Sequence, residues 1–140
     1  MTNDYVIRKE AEQESFASGM VRNSRKGKGR YELLPPRAIR RWAQHLERGA
    51  AVYADRNWEQ GAPFCRFMDS ALRHCFQWLE GMEDEDHLAA AMFNVAAIME
   101  LQERGRIDLD DRPEHPEDLR PSATLVDGYS PLLHAWEKRS

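Results

Sequence analysis

The sequence predicts an all-α domain of about three main helices with irregular N- and C-terminal arms. Three observations carry that expectation. Apolar residues recur at i+3/i+4 over 36–54 and again over 63–80, residues 85–104 are apolar on nearly every side at helical spacing, and Gly- and Pro-bearing segments separate the three stretches. The chain divides on composition into a flexible basic arm (1–29), a helical core (30–105) and a Pro/acid-rich arm (106–140).

The length of 140 residues suits one domain with a real core, and 41% hydrophobic with 31% charged residues describe a globular chain. There is no charge-free apolar run of about 18 residues and so no expected membrane span. The N-terminal MTNDYVIRKEAEQESF has no apolar secretion core, which predicts a cytoplasmic protein. The net charge of −4 conceals an asymmetry, because the stretch Arg22–Arg41 is basic with Glu32 as its single acid, whereas acids predominate from Glu80 to Asp118. A phosphate-bearing ligand, charge matching between subunits and a plain solvated face are all compatible with it. Cys65 and Cys75, on one predicted helix, would lie roughly 15 Å apart. That is beyond disulfide reach, and both read as small core residues.

Residues 1–23 read as a disordered arm with one weakly helical piece around Lys9–Met20. SRKGKGR (Ser24–Arg30) lacks the full phosphate-loop pattern. Pro36 suits a first helical turn, where its missing N–H costs nothing, and opens a helix over 36–54 with the stripe Ile39, Trp42, Leu46, Ala50 and Tyr53. His45 beside that stripe is expected to be exposed. The connection 55–63 carries Asn57, Trp58, Gly61 and Pro63; Trp58 either caps the core or stacks on a base.

The second helix (63–80) should bury Phe64, Phe67, Met68, Ala71, Leu72, Cys75, Phe76 and Leu79. Ser70, His74 and Gln77 flank that stripe, with Arg66 and Arg73 beyond. Such a polar row marks either a pocket border or an ordinary helix edge. Gly81 ends the helix, and Glu83-Asp84-Glu85-Asp86 opens the next, with Asp84 as the expected N-cap. Four acids in a row repel one another unless a cation or basic patch faces them, which makes Asp84, Glu85, Asp86 and His87 a candidate site for Mg²⁺ or Mn²⁺.

The third helix, EDHLAAAMFNVAAIMELQER, is interrupted by two polar residues, His87 and Asn94, roughly 20° apart around its axis. Each must find a partner, since a buried unpaired polar group costs on the order of 1–3 kcal/mol. The expectation is that both face a ligand cavity shared with the His74 and arginine row. The apolar circumference of this helix needs more cover than two neighbours provide, which predicts a homo-oligomer. Beyond Gly105 the prolines and charges argue for an extended arm, with a short docking turn at Pro131–Trp136.

Three blocks carry a family resemblance: GKGRYELLPPRAI, GAAVYADRNWEQGAPFCRFMDSALRHCFQWLEG and DEDHLAAAMFNVAAIMELQE, within about residues 16–103. Through them the chain resembles the dATP/dGTP diphosphohydrolase N-terminal family, common in phage genomes and related to MazG-type nucleotide pyrophosphohydrolases. The resemblance implies a MazG-like all-helical domain in which paired subunits surround a Mg²⁺-bound nucleotide. It carries over Arg30, Asn57, Trp58, Arg73, His74, Asp86, His87 and Asn94. The chain departs from the MazG pattern in lacking its ExxE and ExxD carboxylate helices at the corresponding positions, which implies a lost activity or a metal held by other ligands.

Three functions follow as expectations. The first is metal-dependent hydrolysis of a purine (deoxy)nucleoside triphosphate to monophosphate and pyrophosphate. In it His87, His74 and Asp86 are the catalytic candidates, Arg30, Asn57, Trp58, Arg66, Arg73 and Asn94 bind nucleotide, and Mg²⁺ or Mn²⁺ is the cofactor. The second is a phage-type protein that sequesters a signalling nucleotide without chemistry. The third is a structural or adaptor protein. The expected partners are a small-molecule nucleotide and further copies of the chain, with no membrane and no long nucleic acid.

Overall fold

The computed structural model describes residues 12–113, which fall into two units meeting between Pro35 and Pro36. The first unit is a small ribbon. Strands β1 (Gln13–Ser15) and β2 (Val21–Asn23) pair antiparallel, with Gln13 opposite Asn23 and Ser15 opposite Val21. The turn between them is closed by Phe16 N–H donating to the Met20 carbonyl and Gly19 N–H donating to that of Phe16. Gly19 sits at φ +85°, a conformation that reverses the chain and that side chains resist. The helical piece expected around Lys9–Met20 and the disordered arm over 1–23 are therefore replaced, where the residues are described, by this ribbon. A short 3₁₀ turn, Tyr31–Leu33, leads to Pro35.

The second unit holds three helices, α1 (Pro36–Tyr53), α2 (Phe64–Leu79) and α3 (His87–Glu103), with 3₁₀ turns at Asn57–Gln60 and Ile107–Leu109. The all-α expectation holds, and the three helices lie within a residue or two of where periodicity placed them. α3 is the centre: it packs along α2 over most of its length and also against α1. Its buried stripe runs His87, Ala90, Asn94, Ala97, Leu101, a 3–4 alternation down one face. Four of the five are small or polar, so the helices approach closely.

The α2 stripe is narrower than predicted. Phe64 and Ala71 are buried, but Met68, Leu72, Cys75, Phe76 and Leu79 are exposed, because α3 covers only one side of a broad apolar arc. Cys75 thus sits outside and Cys65 is half-buried; both thiols are free. Along α1 the predicted stripe is half-buried except for Tyr53, which is exposed.

Helix ends are held by long-range as well as local contacts. Met82 N–H reaches back to the Gln77 carbonyl, closing α2 around Gly81 as expected. At the start of α2, Cys65 N–H donates to the Asp111 carboxylate at 2.8 Å. Residues 106–113 thus fold back on this helical body, and Leu109 lies against Gly61. The docking turn proposed at 131–136 and the rest of the C-terminal arm lie outside the described residues. No helix among the described residues is long and apolar enough to cross a membrane.

Candidate functional site

The acidic run before α3 is divided among four partners. Asp86, not Asp84, is the N-cap: its carboxylate accepts from Ala89 N–H at 3.1 Å. The same carboxylate is gripped by the Arg41 guanidinium through two bonds of 2.7 and 2.8 Å, tying α1 to the start of α3. That guanidinium holds the Asp86 carboxyl down at about 2, and Arg41 is itself raised by the pairing. Asp84 bonds His87 Nε2 at 2.9 Å, and this hydrogen bond lowers the Asp84 carboxyl. The Glu85 carboxylate lies 3.5 Å from His74 Nδ1 and 3.7 Å from His87 Nδ1.

The two imidazoles meet nitrogen to nitrogen, Nδ1 to Nδ1 at 3.0 Å, with the rings tilted by 38°. His87 is buried, and His74 is half-buried, on α2. Burial chiefly lowers His74, favouring its neutral form, while Glu85 opposes the shift. His74, Glu85 and His87 are the one group among the described residues whose histidine, cysteine or carboxylate atoms converge closely enough to hold a metal ion.

A second feature is a cavity of about 1650 Å³ walled by the C-terminal half of α1, residues 54–62, the first turns of α2 and the C-terminal half of α3. It exceeds the roughly 300–1,000 Å³ usual for a small-molecule site. Trp58 lines it, with the Arg104 guanidinium 5.3 Å from its ring centre. Arg104 is held there by Glu100 at 2.8 Å and Glu59 at 3.4 Å. Arg56, Asn57, Arg66, Ser70 and Asn94 also line it. Asn94 donates its amide to the Ala90 carbonyl at 2.9 Å, one turn back on its own helix. Trp42, on the same wall, keeps its indole N–H buried without an acceptor, at a cost of about 1–3 kcal/mol.

The wall also bends the backbone. Ala54 and Arg56 sit at φ +83° and +57°, conformations non-glycine residues avoid, at the cavity's edge. His45, expected to be exposed, is half-buried against Phe93 with ring centres 5.6 Å apart. Its burial, helped by Arg48, lowers its pKa; Glu85 and Asp86 act on it in the other direction.

The residues singled out from sequence are therefore distributed over four places. Asp84, Glu85, Asp86, His74 and His87 gather at the start of α3. Asn57, Trp58, Arg66 and Asn94 line the cavity, which His74 and His87 do not. Arg73 bonds Ser70 at 3.1 Å on the flank of α2. Arg30 belongs to the N-terminal unit, where it pairs with Glu32. The sequence reading missed Trp42, His45, Arg104 and five carboxylates of the wall, Glu47, Asp55, Glu59, Glu100 and Glu103. Only Glu100 and Glu103, i and i+3 on a helix, left a readable spacing; the others meet through the fold.

Magnesium prefers an all-oxygen shell and keeps several waters. The two-imidazole group before α3 does not offer that.

A family model described as dATP/dGTP diphosphohydrolase, N-terminal, matches residues 18–112. No curated protein and no solved structure matches the chain.

Proposed function

The chain belongs to the dATP/dGTP diphosphohydrolase N-terminal family, and from that premise we propose that its cavity binds a purine deoxynucleoside triphosphate and hydrolyses it to monophosphate and pyrophosphate. The observation that carries this reading is the wall itself: two indoles, guanidinium groups and three carboxamides on one cavity. The base stacks on Trp58, Arg56 and Arg66 take phosphate oxygens, and Asn57 and Asn94 offer amides to base or sugar.

Mg²⁺ would enter the cavity with the nucleotide, held by phosphate oxygens and water, and would neutralise phosphate charge. Water attacks the α-phosphorus and the bond to pyrophosphate breaks. His45, kept largely neutral by its burial, takes the proton that the water releases. Asp84 and Asp86 are not assigned to this Mg²⁺, because those carboxylates are engaged by His87 and Arg41. That engagement also supports a second reading, nucleotide sequestration without turnover.

We extend the proposal to a homo-oligomer. Leu72, Phe76 and Leu79 on α2 and Val95 and Met99 on α3 are exposed, and a second copy would cover them.

The test is a deoxynucleotide panel with Mg²⁺, following both binding and pyrophosphate release. Trp58→Ala should weaken binding roughly 10-fold or more, the usual worth of a base–aromatic stack. His45→Gln should abolish release yet retain binding. Tight binding with nucleotide recovered intact from the wild type supports sequestration. Neither binding nor release would overturn both readings and leave an adaptor.

A further inference from the structure

The pair of facing imidazoles serves no purpose in the cavity, because neither ring lines it. Two Nδ1 atoms 3.0 Å apart are an awkward arrangement for histidines alone. Both are acceptors unless protonated, so one ring must commit its proton to the other's lone pair.

We propose that His74, Glu85 and His87 form a binding site for a first-row transition-metal dication, with Zn²⁺ the ion they fit best and a water in the fourth position. The three donor atoms stand 3.0, 3.5 and 3.7 Å from one another. These distances bracket the edge of about 3.3 Å expected for a tetrahedron with metal–ligand bonds of about 2.0–2.1 Å. A point equidistant from three atoms so placed lies about 2.0 Å from each, within that bond range. Two imidazoles and one carboxylate suit Zn²⁺ and its neighbours rather than Mg²⁺ or Ca²⁺, which select oxygen.

A second observation is independent of the triangle. His87 Nε2 is bonded to the Asp84 carboxylate at 2.9 Å, on the far side of the ring from the shared point. A proton held there leaves Nδ1 with its lone pair directed at His74 and Glu85. This is the carboxylate–histidine–metal arrangement by which proteins fix the tautomer of a ligating imidazole.

The site would join α2 to the start of α3 across residues 80–86, fixing the angle at which the central helix begins. A bound ion stabilises the folded form that presents the three ligands together.

The experiment uses the full chain, treated with chelator and dialysed, with no nucleotide present. Zn²⁺ is titrated calorimetrically, Co²⁺ is followed by visible absorption, and thermal unfolding is measured with and without Zn²⁺. The expected result is one Zn²⁺ per chain at micromolar affinity or tighter, intense Co²⁺ bands of a four-coordinate site, and a higher Tm with Zn²⁺. Asp84→Asn, which leaves all three ligands in place, should weaken binding roughly 10- to 100-fold. His74→Ala and Glu85→Gln should each weaken it at least as much. Glu85 is half-exposed, so its variant tests the site without emptying the core.

The chain's other histidines provide the control: His45→Gln and the His115→Gln/His134→Gln pair should keep the affinity. Absence of binding, weak octahedral-type Co²⁺ spectra, or affinity unchanged by Asp84→Asn and Glu85→Gln would overturn the proposal. Nucleotide binding in Mg²⁺ is a separate measurement, so failure of one does not decide the other.

Discussion

Asp86 makes two kinds of contact, and replacing it in two ways separates them. It caps α3 through Ala89 N–H and anchors Arg41 from α1. Loss of an N-cap acceptor costs about 1 kcal/mol, within a range of about 0.5–2. The fall of the Asp86 carboxyl from 3.8 to about 2 would correspond to roughly 2.4 kcal/mol if nothing screened it. It must be discounted, because Arg41 is 53% exposed and surface ion pairs are worth about 0–1 kcal/mol. Cap and pair also share one carboxylate, so the two figures overlap. Asp86→Ala is therefore expected to lose about 1–2 kcal/mol. Asp86→Asn, which keeps a cap acceptor and gives up the charge, should lose about 0.5 kcal/mol.

The pH dependence follows from the direction of the shift. The folded carboxyl titrates near 2 and the unfolded one near 3.8. Its contribution is thus complete above about pH 4 and fades as pH falls through about 2. The assay is urea unfolding followed by circular dichroism at pH 7, 3 and 2, for wild type and both variants. The wild-type advantage over Asp86→Asn should shrink on acidification and in high salt. An Asn variant as damaged as the Ala variant, or a gap indifferent to pH, would refute the reasoning.

Gly61→Ala should destabilise the chain by about 1–3 kcal/mol in the same assay, the usual range for overpacking. The added Cβ would stand 2.6 Å from Leu109 Cδ1, on a backbone at φ +85°. Leu101→Ala should cost about 2–5 kcal/mol, since Leu101 is completely buried on α3. Phe76→Glu, by contrast, should leave the isolated fold intact but shift light-scattering mass from an oligomer toward a monomer, because its ring is exposed. A wild type already monomeric would remove the homo-oligomer from the proposal.

The sequence by itself determined the three helices, the Gly81 stop and the polar interruptions of α3, because each is written in neighbouring residues through periodicity and turn chemistry. It also marked His87 and Asn94 as buried polar groups in need of partners; His87 finds them in His74 and Asp84, and Asn94 in the Ala90 carbonyl. Which acid caps α3 was not readable: Asp84 and Asp86 are equally good cap residues, and the choice fell to Asp86, which Arg41 grips, 45 positions away. The exposed half of α2 was hidden for the same reason, since an apolar arc does not state how much of it a neighbour covers. Only the tertiary structure separated the imidazole pair from the cavity, and only it assembled a wall from α1, the Trp58 turn and the end of α3. Those groups share no spacing along the chain. Their proximity is created when an alanine-lined stripe lets three helices close to short range, and that distance exists only after packing.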